Sequence, residues 1–339
     1  MKVAVVILNW NGLTFLKKFL PDVIKYSPEA TIYVADNNSF DNSVQYVREQ
    51  HPEVQLIRLP KNEGYCKGYN SALSQIKADY YVLLNSDVQV TPGWISPVIQ
   101  LMESDQRIAA CQPKIKSFIE PAYFEYAGAA GGYIDYLGYT FCRGRIFEKV
   151  EKDKGQYNDS REIFWATGAC LFIKSELFHA AGGFDEDFFA HMEEIDLCWR
   201  LKRLGYKIMY CGQSEVFHVG GGTLSATNPH KTYLNFRNNL ALLIKNHSDK
   251  HFFRTIILRM ILDGVAGFKL LFSDSYKHFN AVIKAHFSVY AQYKKLYVKR
   301  MRLRKNGYNY LTDDPTLLKK SVVMQFYLYR KNKFSKIKF

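Results

Sequence analysis

Four groups of residues in the first 220 positions combine side chains that could do chemistry with a place where an apolar run ends or a helix begins. They are Asp36 in Val34-Ala35-Asp36-Asn37-Asn38-Ser39, the triplet Asn85-Ser86-Asp87, the cluster Glu193-Glu194-Ile195-Asp196, and His218. Mg2+ and Mn2+ favour hard oxygen ligands and keep positions open for phosphate, so Asn85 and Asp87 beyond a buried strand suit a cation and the diphosphate it neutralises. A carboxylate at Asp36 can accept hydrogen bonds from a base or ribose. At both places the ordinary alternative is a turn, for which Asp, Asn and Ser are common choices. One or two acidic residues at 193–196 would suit a helix N-terminus. Three repel one another, which raises carboxylate pKa values and can prepare a general base. Helix geometry cannot aim all three the same way. One is expected to face the site, one to hold a neighbouring arginine or backbone group, and one to cap, with Arg200 and Arg203 relieving part of the repulsion. A lone histidine is more often structural than a ligand. His218, however, precedes Gly220-Gly221-Gly222-Thr223, a run whose N–H groups can approach phosphate closely, and histidine is an ordinary metal ligand. The stretch from Asn62 to Asn70 opens a helix with Gly64 and Gly68 and could admit a diphosphate at its N-terminus. It is neither a Walker A loop nor a Rossmann fingerprint.

These residues need a scaffold, and the apolar periodicity supplies one. Strands are expected at 3–8, 31–35, 54–59, 80–84 and 108–112, separated by helices at 13–26, from Ser39 as N-cap to about 50, 64–77 and 92–102. That alternation implies right-handed crossovers and a mostly parallel α/β sheet, with ligands outside the carboxyl ends of the strands. Asn9, Asn11, Asp36, Asn37, Asn38, Asn85 and Asp87 stand at those ends. Residues 113–162 read as an irregular insertion, 163–173 as one buried strand, 193–204 as a helix, and 207–211 and 216–219 as two further strands. Beyond Pro229 the pattern is mostly helical.

Composition narrows the classes. The chain has 339 residues, 47% hydrophobic and 15% aromatic, which suits a large core and excludes general disorder. Its six cysteines form no CxxC pair, which argues against a zinc site or disulfide framework and fits a reducing compartment. Neither a signal peptide nor a transmembrane helix is expected. Of the net charge of +14, residues 231–339 carry 23 Lys+Arg against 5 Asp+Glu, and residues 1–230 carry 23 against 27. The division expected is a catalytic body at 1–230, made of a nucleotide-binding half (1–112) and an acceptor or catalytic half (113–230), followed by a basic helical region at 231–339.

The runs 5–11, 34–39, 62–70, 83–87, 188–200 and 218–225 together resemble the family 2 glycosyltransferases of GT-A fold, in particular their rhamnosyltransferase-like branch. The resemblance covers roughly residues 1–245, in the family's order. It implies a nucleotide site formed by Asn9, Asn11, Asp36, Asn38, Asn62, Gly64, Asn70, Asn85 and Ser86, with Asp36 on the base. It implies Asp87 and His218 as ligands of Mg2+ or Mn2+, and a base at Glu194, with Glu193 and Asp196 as the other candidates. Two departures stand out. Asn85 replaces the first acidic position of the DXD motif, and Glu194 is one methylene longer than the usual aspartate. The expected reaction is inverting transfer of a sugar, with rhamnose one option, from a UDP- or dTDP-sugar to a hydroxyl of a glycan or lipid-pyrophosphate-linked acceptor in surface polysaccharide assembly. The other readings are a nucleotidyltransferase-like enzyme and a non-catalytic basic protein that binds membrane or RNA.

The basic region offers two readings. Residues 252–272 form an amphipathic helix candidate with Phe253, Ile256, Ile257, Met260, Ile261, Phe268 and Leu271 on one side and Arg254, Arg259, Asp263 and Lys269 on the other. Lys294, Lys295, Lys299, Arg300, Arg302, Arg304 and Lys305 follow, interleaved with Tyr293, Tyr297 and Leu303. Such a composition suits the plane of an anionic membrane surface, or equally a helical cap with a solvated basic face. No nucleic-acid-binding motif accompanies it. The expected location is cytoplasmic, peripheral on the inner face of the cytoplasmic membrane.

Overall fold

The computed structural model describes residues 1–220, 228–273, 275–311 and 313–339. Its elements run β1 (Val3–Asn9), α1 (Leu13–Lys25), β2 (Ala30–Asp36), α2 (Ser43–Gln50), β3 (Gln55–Arg58), α3 (Gly64–Leu73), β4 (Tyr80–Leu84), β5 (Val88–Val90), α4 (Ser96–Ser104) and β6 (Ile108–Ser117). Then come β7 (Gly132–Asp135), β8 (Thr140–Cys142), β9 (Arg145–Ile146), β10 (Lys149–Val150), β11 (Ser160–Ile163), β12 (Cys170–Lys174), α5 (Ser175–Ala180), α6 (Glu193–Arg203) and β13 (Lys207–His218). The chain closes with α7 (Pro229–Asn246), α8 (Phe252–Ser273), α9 (Tyr276–Lys305), β14 (Leu317–Leu318) and α10 (Val322–Tyr327).

The main sheet has the order β11-β13-β6-β12-β4-β1-β2-β3, with β5 added against β13. Its central strands β1 and β4 are almost continuously apolar because helices cover both faces. Register fixes where the polar ends fall. β1 is parallel to β2 and β4, pairing Asn9 with Asp36 and Ile7 with Leu84. β12 runs antiparallel to β4, with Cys170 opposite Leu84, so its amino end meets β4's carboxyl end. β13 is parallel to β6, and its final residue His218 pairs with Val88 of β5. One edge of the sheet therefore collects Asn9, Asp36, Asn85, Asp87 and His218.

Four expectations change. Residues 163–173 are not one strand; Ile163 ends β11 beside β13, and Cys170 begins β12 three strands away. Residues 207–211 and 216–219 belong to one long strand, interrupted by an irregularity between Cys211 and Glu215. The stretch 113–162 is not simply irregular: it extends β6 and supplies four strands of a second, five-stranded sheet, β10-β9-β8-β7-β14, which β14 from near the far end of the chain completes. Ser39 does not cap α2, which starts at Ser43; its hydroxyl instead accepts from the Asn11 amide at 2.9 Å and Asn9 Nδ2 at 3.1 Å.

The basic region packs on this frame. Leu242, Leu243, Leu318, Val322, Phe334 and Ile337 join the same core as Tyr69, Phe164 and Trp199. Many of its cations are paired internally. Lys245 bridges Asp185 at 2.7 Å and Asp196 at 2.8 Å. Lys295 and Lys299 hold Asp187, Lys299 also holds Asp185, and buried Arg300 reaches the Ile244 and His247 carbonyls and Asp249. Arg259 and Asp263, expected on a solvated face of α8, are buried as an ion pair at 2.8 Å, because Arg259 also donates to the Leu137 carbonyl and stacks over Tyr139.

Candidate active site

Asp36 is buried. One of its oxygens accepts from Asn9 Nδ2 (3.2 Å), which ties the end of β1 to the end of β2, and the other from the Ser39 amide (3.0 Å), which closes the turn after β2. Asn11 and Asn38 adopt left-handed conformations (φ +52° and +61°), which asparagine tolerates. Asn62 Oδ1 accepts from Asn37 Nδ2 and the Gly64 amide, each at 2.9 Å. A β-carbon at Gly12 would stand 2.4 Å from Asn9 Oδ1, so the backbone comes close to this polar floor. Asn9 Oδ1 and Asn37 Oδ1 are buried with no hydrogen-bond partner among the described residues. Buried polar atoms are normally satisfied, and two orphans at the carboxyl ends of parallel strands mark where a polar ligand would sit.

Asn70, expected on the nucleotide, is turned elsewhere. Its amide exchanges two hydrogen bonds of 2.9 Å with the Phe184 backbone and reaches Glu186. It anchors the Gly182-Gly183-Phe184 turn, a role set by a partner 114 residues away.

Asp87 and His218 are brought together, Oδ1 to Nε2 at 3.2 Å, both buried. On the other ring nitrogen, His218 Nδ1 lies 3.3 Å from Glu125, a residue with no motif in the sequence to flag it. Burial alone would raise the Asp87 carboxyl, but the His218 bond holds it below its usual range. Burial alone would lower His218, but Asp87 and Glu125 push it up to about 10. A carboxylate behind an imidazole is how metal-bound histidines are oriented, so Asp87, His218 and Glu125 fit a cation whose binding would replace the histidine proton. No set of three or more His, Cys, Asp or Glu forms a ready metal cage among the described residues. The remaining ligands would have to come from phosphate and water. Of the glycine run beyond His218, only Gly220 (φ +73°) is described; residues 221–225 lie outside the described residues.

The acidic cluster separates into three environments. Asp196 is fully buried and accepts from Arg200, Lys245 and Asn246, each at 2.8 Å; despite burial, Lys245 and Arg200 hold it below the usual range. Glu193 is buried without a partner for Oε2, and burial plus the neighbouring Glu194 drive it well above its ordinary value. Glu194 is partly exposed as a residue, although its Oε2 is likewise buried without a partner among the described residues, and burial pushes the carboxyl up to about 7. The Thr167-Gly168-Ala169 loop links it to the triplet. The Ala169 carbonyl accepts from the Asn85 amide (3.0 Å), the Gly168 carbonyl from Tyr65 Oη (3.0 Å), and a β-carbon at Gly168 would meet the Glu194 β-carbon at 4.0 Å.

The turn before α6 is strained. Phe189, His191 and Met192 all have positive φ, of 65°, 69° and 72°, a costly choice for large side chains. Asn238 of α7 holds the turn, its amide nitrogen lying 3.0, 2.8 and 2.7 Å from the Phe188, Ala190 and His191 carbonyls. Arg237 adds the Asp187 and Phe188 carbonyls. The Phe189 carbonyl accepts from the first amides of α3, Tyr65 and Cys66. Asn238 carries no sequence signal, since nothing in its helix points to a loop 47–50 residues earlier.

A profile described as Glycosyl transferase family 2 matches residues 4–181. The N-acetylglucosaminyl-diphospho-decaprenol L-rhamnosyltransferase of Mycobacterium tuberculosis is 25% identical over 268 residues, 74% of this chain and 82% of that protein. A low-salt glycan biosynthesis hexosyltransferase of Haloferax volcanii is 22% identical over 245 residues, 69% of this chain and 73% of its own length. Among solved structures, S. aureus TarS 1-349 in complex with UDP-GlcNAc aligns with a TM-score of 0.56 at 13% identity, over 93% of this chain and 94% of that one. GalNAc-T7 with UDP, GalNAc and Mn2+ aligns with a TM-score of 0.57 at 17% identity, over 74% of this chain; the alignment spans only 48% of that structure. Both likenesses concern the GT-A fold.

Proposed function

The chain belongs to glycosyl transferase family 2, and from that premise we propose that it transfers a sugar from a UDP- or dTDP-sugar to an acceptor hydroxyl with inversion, Glu194 serving as the base. The observation that carries this reading is Glu194 itself: the one partly exposed member of the acidic cluster, raised to about 7, across the Gly168 loop from Asn85. Proton transfer is most efficient when the base titrates near working pH. Glu194 takes the proton of the acceptor hydroxyl as that oxygen bonds to the anomeric carbon. The bond from that carbon to the diphosphate breaks on the opposite face, and the nucleoside diphosphate leaves. Asp36, Asn9, Asn11, Asn38, Asn62 and the Gly64 turn seat the nucleoside, and the orphan atoms of Asn9 and Asn37 support its placement there. When bound by Asp87 and His218, Mg2+ or Mn2+ supplies positive charge to the departing diphosphate. Glu193, buried and held well above its ordinary value, stands aside from the transfer, and Asp196 anchors the helix.

A lipid-pyrophosphate acceptor, a role in surface polysaccharide assembly and a peripheral position on the inner face of the cytoplasmic membrane complete the proposal. The Mycobacterium relative's name, with its diphospho-decaprenol acceptor, supports them, as does the net charge of +14. The deciding experiment is thermal shift and transfer against a panel of UDP- and dTDP-sugars, dTDP-L-rhamnose included, with Mn2+ and with EDTA. One donor should give metal-dependent stabilisation and transfer; full activity in EDTA would remove the metal, and no response to any nucleotide sugar would remove the function.

A further inference from the structure

Helix α8 is inside out. At 100° per residue, Phe253, Ile257, Ile261, Val265, Phe268 and Phe272 fall within one arc of about 120°, and all six are between 58% and 87% exposed. The opposite arc, which faces the protein, carries Thr255 and the Arg259–Asp263 ion pair. Helix α9 extends the surface. It packs against α8 through Phe279 on Phe268 and Val282 near Gly267, and turns Tyr276, Ile283, Phe287 and Tyr290 outward on the same side as Tyr290's contact with Met260. A helix that hides its charges and shows its large apolar groups is covered by something.

We propose that the α8–α9 face lies in the interfacial plane of an anionic lipid bilayer. Charge complementarity selects that occupant. Arg254 sits within the apolar arc, exposed Lys277 and Lys284 border it on α9, and no acidic partner is described for any of the three. Asp263 is the only carboxylate on the two helices among the described residues, and it is buried. Two copies placed face to face would bring like-charged rims together, whereas anionic head groups neutralise them. No helix among the described residues is long and apolar enough to cross a membrane, so the contact is in-plane. A groove of about 580 Å³, lined by His230, Tyr233, Tyr276, Lys277 and Lys284, opens at the end of this face, at the foot of the helix whose Asn238 clamps the turn before Glu194. Head-group phosphates would lie level with it. The inference names the surface behind the peripheral position proposed above, but needs no sugar donor and survives a failure of the transferase reading.

The test uses the full chain with vesicles of phosphatidylcholine alone or mixed with phosphatidylglycerol, without nucleotide. The protein should co-sediment with the mixed vesicles, and Ile257→Glu with Ile261→Glu should weaken binding at least about tenfold. Lys277→Gln with Lys284→Gln should cut the preference for anionic vesicles roughly tenfold. In a Phe268→Trp variant, brominated lipid should quench the new indole. All these side chains are exposed, so the variants should keep the parent's unfolding transition. Binding that survives the two glutamates, an indole at position 268 that brominated lipid leaves unquenched, or a concentration-dependent dimer abolished by the same glutamates would overturn the proposal.

Discussion

Replacing Glu194 by Gln tests the catalytic assignment through two readouts that a merely structural glutamate would not move together. A carboxyl raised from 4.5 to about 7 by folding binds its proton more tightly in the native state than in the unfolded chain. The unfolded chain therefore releases that proton first, so stability falls as pH rises from about 4.5 to about 7 and stays reduced above. At 1.36 kcal/mol per tenfold, the full displacement is roughly 3 kcal/mol; partial exposure and relaxation bring the expectation to about 1.5–3 kcal/mol. Glutamine is nearly isosteric and cannot ionise. Glu194→Gln should thus stabilise the protein by that amount at pH 8 and by almost nothing at pH 4.5, in urea unfolding followed by circular dichroism. Turnover should fall by about two to four orders of magnitude, the usual worth of a positioned base, while donor binding measured calorimetrically stays within about threefold, because the base does not touch the nucleotide. An equal gain in stability at both pH values, or turnover within tenfold of the parent, would refute the reasoning.

Other expectations follow from the same geometry. The pH–rate profile of the parent should rise through about 7 as Glu194 loses its proton, and Glu194→Asp should keep a rising limb at reduced height. Asn238→Ala removes the donors facing three carbonyls at a turn with three left-handed residues; it should cost about 2–4 kcal/mol and lower kcat while leaving the donor KM nearly unchanged. Asp196→Asn leaves Arg200 buried without a carboxylate and Lys245 with Asp185 alone, and should cost about 3–5 kcal/mol, read as a lower urea midpoint. The parent's Asp196 contribution should itself be lost as pH falls below the ordinary carboxylate range, since its native pKa is depressed. Gly64→Ala puts a β-carbon 2.5 Å from the Phe189 ring at φ +87° and should lower both stability and turnover, with thermal melting and initial rates as the checks.

Local signals were readable where one segment determines its own fate. β1 and β4 are buried on both faces, so their runs of Val, Ile and Leu announced strands, and the polar residues that follow them come together along one edge of the sheet. The acidic cluster was legible as a cluster, but its division of labour was not. Asp196 is claimed by Lys245 and Asn246, 49 and 50 residues later, and periodicity says nothing about such partners. Glu125 stands in an unpatterned stretch and gains meaning only when β6 and β13 pair. The apolar run at 163–173 hid a Thr-Gly-Ala crossing between distant strands, since hydrophobicity alone cannot tell one buried strand from two. On α8 the two faces were legible but not which of them meets the protein, so a membrane-facing and a body-facing apolar side stood equally open until Arg259 and Asp263 were seen buried.

The bridge from Lys245 to both Asp185 and Asp196 bears on how such a chain can be altered. The acidic body and the basic tail differ in composition but neutralise each other across their junction, so neither is a self-sufficient part. Cutting at residue 230 would take the lysines from Asp185, leave buried Asp196 with Arg200 alone, and release the strained turn that presents Glu194. A chimera built to change acceptor preference would have to keep Arg237, Asn238, Lys245 and Asn246 with the body, and also Lys299, which holds Asp185 and Asp187, and the Leu318, Val322, Phe334 and Ile337 side chains that complete its core. The point where the composition changes is therefore not a seam at which the chain can be exchanged.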